Sequence, residues 1–361
     1  MPDPRPERRA RLLDLLEQHK AGAMAVTHLP NVRYLSGFTG SNGVLLVTQR
    51  GARLFTDPRY DIQASQECDC STKICAGPVW PELAKEVRRQ GLTALAMESD
   101  KVSHDQWLAS AAELGKPVRL KRAKGLVEGL RVIKSASEIE AIRRSVRLNS
   151  KAFQQALGKI RPGMTEIQVA AEIDYRMRRL GAEGPAFETI VAAGGRSALP
   201  HARPTNQQLK ANQLLLVDMG ASLDGYCSDM TRVVHLGPPP ARARQLYDAV
   251  LEAQLASIAE VKPGAACAQV DAAGRRTLRK RGLDKFFTHS TGHGLGLEIH
   301  EGPRIGRKPE GVLRPGMVIT IEPGVYLRGF GGIRIEDTVL VTETGVEVLT
   351  STTKEFLVIP T

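Results

Sequence analysis

The run Leu214-Leu215-Leu216-Val217-Asp218-Met219-Gly220 puts a carboxylate at the end of a segment that otherwise reads as a buried strand. Burying an unpaired carboxylate is unfavourable by several kcal/mol or more, so Asp218 must be paired, protonated or bound to a cation. Asp229 follows in a second strand-like stretch, Tyr226–Val234. Two antiparallel strands joined by residues 221–225 would bring both carboxylates to one place. The arrangement returns near the C-terminus. Val318-Ile319-Thr320-Ile321 ends in Glu322, followed by Pro323-Gly324, and the strand-like run Gly332–Val341 carries Glu336. If the two segments pack about a pseudo-two-fold axis, four carboxylates converge, and their repulsion demands counter-charge. Arg232 and Arg334 are near in sequence and could salt-bridge them. Two half-sites with the same carboxylate placement suit a pair of metal ions better.

A further ligand candidate lies in the stretch 288–301, which holds His289, His293 and His300. The glycines around His293 leave room for a large neighbour or a close backbone approach. An oxygen-rich site with one imidazole suits Mn²⁺ or Co²⁺ and could take Zn²⁺.

The elements that position these groups are legible as a repeat. Residues 162–181 fall on 263–282 at a shift of 101, pairing Pro162 with Pro263, Gly163 with Gly264, Val169 with Val270 and Gly181 with Gly282. At a shift of 104, Leu209, Asp218 and Gly220 meet Leu313, Glu322 and Gly324; at 107, Gly225, Asp229 and Thr231 meet Gly332, Glu336 and Thr338. Each half thus reads as a helix that ends at Gly, followed by a β-hairpin, with three extra residues absorbed in the second hairpin. Upstream, Ser135 and Glu138 form a Ser-x-x-Glu capping box that opens a long helix over 137–159, closed by Arg161-Pro162-Gly163. Before it, a short amphipathic helix over 7–19 leads into apolar runs at 23–26, 44–47 and 52–55, punctuated by Gly and Asn as strands joined by turns are. The expected organisation is an α/β domain over 1–130 and a catalytic domain over 131–361.

Composition narrows the class. The chain has 361 residues, 42% hydrophobic and 25% charged, as in ordinary globular proteins. Its net charge of +11 invites a nucleic-acid reading, but the basic residues lie in short scattered clusters such as Arg8-Arg9 and Arg178-Arg179. The N-terminal apolar stretch is broken by Asp14 and Glu17, and no uncharged apolar run is long enough to span a membrane. A cytoplasmic enzyme without nucleic-acid or membrane partners is expected. Cys68, Cys70 and Cys75 cluster without a zinc-ligand pattern, so all five cysteines, with Cys227 and Cys267, read as plain thiols.

The strings LLLVDMGASLDGYCSDMTR, HSTGHGLGLEIHE, TIEPGVY and GIRIEDTVLV resemble the pita-bread metallopeptidases, specifically the Xaa-Pro aminopeptidase and prolidase group. NVRYLSGFTGSNGVLLVT and LFTDPRYDIQA resemble the creatinase-type N-terminal domain that such enzymes carry. The resemblance implies a smaller creatinase-like α/β domain and a C-terminal pita-bread domain. It makes Asp218, Asp229, His293, Glu322 and Glu336 the ligands of two divalent metal ions, Mn²⁺ foremost. It makes His201 and His300 histidines that hold substrate and transition state, Glu322 also a proton relay, and His289, Tyr326 and Arg334 residues of the same cleft. The implied activity is removal of the residue in front of proline from peptides with proline at position 2, with a prolidase limited to dipeptides as the alternative. A non-catalytic pita-bread binding protein is a further alternative, and a homodimer is implied.

Overall fold

The computed structural model describes residues 4–308 and 311–361. The chain divides into two compact units after Arg131. In the first, α1 (Arg5–Gln18), α2 (Leu29–Ser36), α3 (Asp61–Glu67), α4 (Val79–Arg89), α5 (His104–Leu114) and α6 (Leu126–Arg131) accompany a sheet. Its strands are β1 (Ala23–Val26), β2 (Val44–Thr48), β3 (Gly51–Thr56), β4 (Ser71–Ile74), β5 (Ala94–Glu98) and β6 (Arg119–Ala123), in the order β4-β3-β2-β1-β5-β6. β1 runs antiparallel to β2 and parallel to β5. Ala23, Ala25, Val44 and Leu46 face a core shared with Leu83, Ala84 and Val87 of α4. That alternation along the strands and the spacing along the helix are what a sheet under a helix requires.

The second unit opens on α7 (Ala136–Leu157). The Ser135 hydroxyl accepts from the Glu138 N–H while the Glu138 carboxylate accepts from the Ser135 N–H, the reciprocal cap read from the sequence. Then come α8 (Glu166–Arg179), β7 (Gly184–Pro185), β8 (Ile190–Ala193), β9 (Gln213–Met219), β10 (Ala221–Leu223), β11 (Tyr226–Cys227) and β12 (Met230–Leu236). The second half repeats the order with α9 (Ala241–Ala259), α10 (Cys267–Arg279), β13 (Gly292–Gly294), β14 (Glu301–Ile305), β15 (Val318–Ile321), β16 (Gly324–Leu327), β17 (Gly331–Arg334) and β18 (Asp337–Val341). β19 (Val346–Val348) and β20 (Val358–Ile359) close the chain.

The internal repeat is visible in packing and register. Val169 of α8 packs with Leu215 and Val217 of β9. At the sequence shifts, their counterparts Val270, Ile319 and Ile321 pack together as well. β8 pairs with β9 so that Ala193 faces Leu215, and β13 pairs with β15 so that Gly294 faces Ile319, the counterpart of Leu215. His293 therefore stands where the first half has Ala192.

The hairpins differ from the sequence expectation in one respect. Neither Tyr226–Val234 nor Gly332–Val341 is a single strand. Each hairpin bends, with an outer pair (β9 with β12; β15 with β18) and an inner pair (β10 with β11; β16 with β17). At the first bend the Ala221 N–H donates to the Ser228 hydroxyl, which returns a bond to the Ala221 carbonyl. The inner turn of the first hairpin is Asp224-Gly225, both with positive φ; a two-residue turn of that kind matches strand twist. The second hairpin turns through Arg328, Gly329 and Phe330 and has longer inner strands, which accounts for the extra residues. All four acidic residues lie at these bends.

Gly220 is where the first bend is tightest. A Cβ there would fall 2.1 Å from the Ser228 carbonyl oxygen and 2.6 Å from the Phe187 ring. Gly220→Ala must push the two bend strands apart, a strain of about 1–3 kcal/mol. Denaturant unfolding should register that loss, together with a fall in bound metal per chain; native stability at full metal content would contradict the account of the bend.

Candidate active site

One cavity of about 490 Å³ has Asp218, Asp229, Glu322 and Glu336 among its lining, with His289, His293, His300, His201 and Arg334 around them. Tyr326 is buried just behind, its hydroxyl bonded to two of these groups. Asp218 comes from the end of β9, Asp229 from the residue before β12, Glu322 from the residue after β15 and Glu336 from the residue before β18. The halves also exchange hydrogen bonds across the pseudo-axis. Thr231 donates to the Glu336 carboxylate at 2.6 Å, and its repeat partner Thr338 donates to the Asp229 carbonyl at 2.9 Å.

The two nearby arginines divide their work. Arg232 turns away to Asp337 at 2.8 Å and to the carbonyls of Glu336, Thr352 and Thr353. Arg334 donates to Asp218 at 2.6 Å, to Thr231 at 3.0 Å and to the Tyr326 hydroxyl at 2.7 Å. Four carboxylates thus face a single guanidinium. Without further cations, burial and then the neighbouring Glu336 push Asp229 and Glu322 well above the usual carboxylate range. Burial and then Asp218 push Glu336 up to about 8.

The histidines occupy distinct environments. His293 directs Nδ1 at the Gly294 carbonyl, 2.9 Å away, which assigns the proton to Nδ1. Its Nε2 lone pair then faces Asp229 and Glu322 oxygens, each at 3.6 Å. Burial holds this ring neutral, lowering its pKa to about 4. His289 is neutral for the same reason, with burial and then Arg334 lowering it to about 3. Both its nitrogens are engaged, by the Ser290 carbonyl and the Tyr326 hydroxyl. His300 stacks edge-on against His293 with ring centroids 4.4 Å apart, and burial lowers its pKa. His201 is exposed on the cavity wall. Neither His201 nor His300 hydrogen-bonds through its ring to a described residue.

These residues fit cations. Asp229, His293 and Glu336 offer donor atoms within 4.8 Å of one another. One oxygen each of Asp218 and Asp229 is buried without a hydrogen-bond partner, a costly state for a carboxylate. A neutral imidazole aimed at two carboxylate oxygens beyond hydrogen-bond reach has the same shape of deficit. Divalent cations would satisfy all of these atoms at once.

Residues 140–343 match metallopeptidase family M24, and residues 8–133 match the creatinase/prolidase N-terminal domain. The chain belongs to metallopeptidase family M24. Among similar proteins, the Xaa-Pro dipeptidase of Pyrococcus horikoshii is 35% identical, over 97% of this chain and 99% of that one. The solved structure of an Xaa-Pro dipeptidase from Bacillus anthracis superposes with a TM-score of 0.95 at 37% identity, over 98% of this chain and 99% of that one. An X-Pro aminopeptidase from Thermotoga maritima gives 0.90 at 36% identity, over 95% and 99%. Family membership makes this protein a prolidase-type metallopeptidase of the pita-bread fold, and so an enzyme that works with divalent metal ions.

Several residues at the cavity escape sequence inspection. Arg304 lines it, exposed and without a carboxylate partner among the described residues. Glu301, also on the wall, meets the buried Lys134 ammonium at 3.1 Å. Asp271 and Arg275 brace the segment that leads to His293: Asp271 accepts from Thr291, and Arg275 donates to the carbonyls of Phe287 and His289. Lys134 lies 167 positions from Glu301, and no local pattern marks either. Thr231 and Thr338 carried a signal, as paired members of the repeat.

The buried carboxyls dictate how the metal-free protein responds to pH. A carboxyl whose pKa is raised by folding stabilises the fold below its unfolded pKa of about 4, and that contribution is lost as pH rises through the folded value. For Glu336 the window closes near pH 8. Metal-stripped protein should therefore melt at progressively lower temperature between about pH 4 and 8, and Mn²⁺ should remove most of that slope. Parallel melts with and without metal that show the same slope would contradict cation binding by this cluster.

Proposed function

We propose that this enzyme hydrolyses the Xaa-Pro bond of dipeptides, as a prolidase. The observation that carries the reading is the set of four carboxylates and one neutral imidazole, with unpartnered oxygens, in a cavity also lined by Arg304, which has no carboxylate partner among the described residues. The relatives named Xaa-Pro dipeptidase span almost the whole chain, so dipeptide cleavage fits better than the aminopeptidase activity expected first from the sequence. The Thermotoga protein keeps longer peptides as the second reading.

In this reading Asp218, Asp229, His293, Glu322 and Glu336 hold two divalent ions, Mn²⁺ before Co²⁺ or Zn²⁺. The ions would supply Lewis acidity toward the scissile carbonyl and ionise a water near neutral pH. Proline's tertiary amide nitrogen has no hydrogen to donate, so recognition rests on other groups. His201 and His300 donate ring N–H groups to the carbonyl oxygen as charge develops on it. Glu322 takes a proton and delivers it to the departing prolyl nitrogen. Arg334 and Tyr326 fix Asp218 and His289 in place. Arg304 pairs with the C-terminal carboxylate of the dipeptide, the group that a longer peptide lacks at that position. The protein acts as a cytoplasmic homodimer; its five cysteines, none of them in a disulfide, suit a reducing compartment.

Length selection is tested by kcat/KM for Ala-Pro and Ala-Pro-Ala with Mn²⁺-loaded enzyme. The dipeptide should be preferred, and Arg304→Ala should raise KM for Ala-Pro with little change in kcat. Equal cleavage of both peptides would favour the aminopeptidase reading, and no cleavage of either would refute both.

The histidine roles separate under substitution. His201→Ala and His300→Ala should lose about 10²–10³ in kcat while retaining metal. His293→Ala should lose metal itself, and chelation should silence the parent enzyme until Mn²⁺ or Co²⁺ is restored. Elemental analysis beside kcat on the three variants decides it; metal loss from His201→Ala or His300→Ala would reverse the assignment.

A further inference from the structure

Beside the catalytic cleft lies a second cavity, of about 420 Å³, with which it shares His289, Ser290 and Arg304. Its charge is one-sided. Lys285, Arg304, Arg307 and Lys308 line it, and no carboxylate is found among its described lining residues. None of these four cations has a carboxylate partner among the described residues. A fifth, Arg275, is already neutralised by Asp271, through bonds of 2.7 and 3.1 Å. The hydroxyls of Thr288 and Ser290 add two donors that no described residue engages. Unscreened like charges gathered around one concavity repel, and the concavity focuses their field on whatever anion enters.

We infer that this cavity is a second anion site, taking a compact dianion of the phosphate or sulfate class, and that it communicates with the catalytic cleft through Arg304. The chemistry follows from the donor set. Guanidinium groups bind tetrahedral oxyanions through paired N–H donors, lysines add point charge, and the hydroxyls complete the shell. A dianion there draws Arg304 out of the cleft. Peptide carboxylate and dianion then compete for one guanidinium, so the anion raises KM and leaves kcat alone. The coupling rests on the role given to Arg304 in dipeptide binding; the anion site itself does not.

The binding test is a calorimetric titration of Mn²⁺-loaded enzyme with sodium sulfate, a weak ligand for Mn²⁺, against sodium chloride at matched ionic strength. Saturable binding of one sulfate per chain is expected, weakened about tenfold, or about 1.4 kcal/mol, in a Lys285→Gln/Arg307→Gln variant. Identical responses to sulfate and chloride overturn the site, as does unchanged sulfate affinity in a double variant that melts like the parent. Inorganic phosphate and phenyl phosphate, titrated in parallel and corrected by the double variant, identify the source. Tighter binding of the ester marks a small phosphorylated molecule, equal binding marks the free ion, and either supports the site. The coupling is read from Ala-Pro kinetics, where sulfate should raise KM at constant kcat in the parent and much less in the double variant. Binding without a KM effect overturns the coupling through Arg304. Should Ala-Pro not be a substrate, the titration still decides the site.

Discussion

Four buried carboxylates within one cavity are the constraint around which the catalytic unit is arranged. Each is unfavourable alone, and together they repel more strongly than Arg334 can offset. The fold tolerates them because they lie at the bends of two hairpins, where hydroxyl and guanidinium donors hold them at fixed positions. Thr231 on Glu336 and Thr338 on the Asp229 backbone do this from opposite halves. In the proposed reading the residual charge is offset by cations, which links metal affinity to folding stability.

The two-fold repeat supplies symmetry, and the chemistry needs it broken. Each half contributes a bent hairpin with two carboxylates, packed under a helix by equivalent residues. Only the second half places a histidine on the strand beside its hairpin, at the position where the first half has Ala192. His289 and Tyr326 likewise come from the second half, as does Arg334, which reaches across to Asp218 of the first. Two similar scaffolds thus make one site with distinguishable sides. A substrate with different ends requires such a site.

The cations show how placement converts one residue type into different functions. Arg232 is consumed by Asp337 and four carbonyls, and stiffens the frame. Arg334 is buried against a carboxylate and a phenol and holds Asp218 and Tyr326 still. Arg304 stands exposed where two cavities share lining, with no carboxylate partner among the described residues. All three would count equally toward the net charge of the chain.

Apolar periodicity, capping residues and the spacing of acidic groups are local properties, and the sequence alone determined what depends on them. That covers the repeat, the capped helix and the strands that end in carboxylates. It also led to strands drawn straight through Asp229 and Glu336. Local propensity favours continuing such strands, whereas the contact of Ser228 with Ala221 and the crossed threonines hold them bent. The tertiary structure alone decided which arginine meets which carboxylate, that His289 is fully engaged while His201 and His300 are not, and that Arg304 and Lys134 belong near the cavity. Those outcomes depend on residues dozens to more than a hundred positions apart. No local pattern can carry them, because pairing energy is set by distance and burial in space.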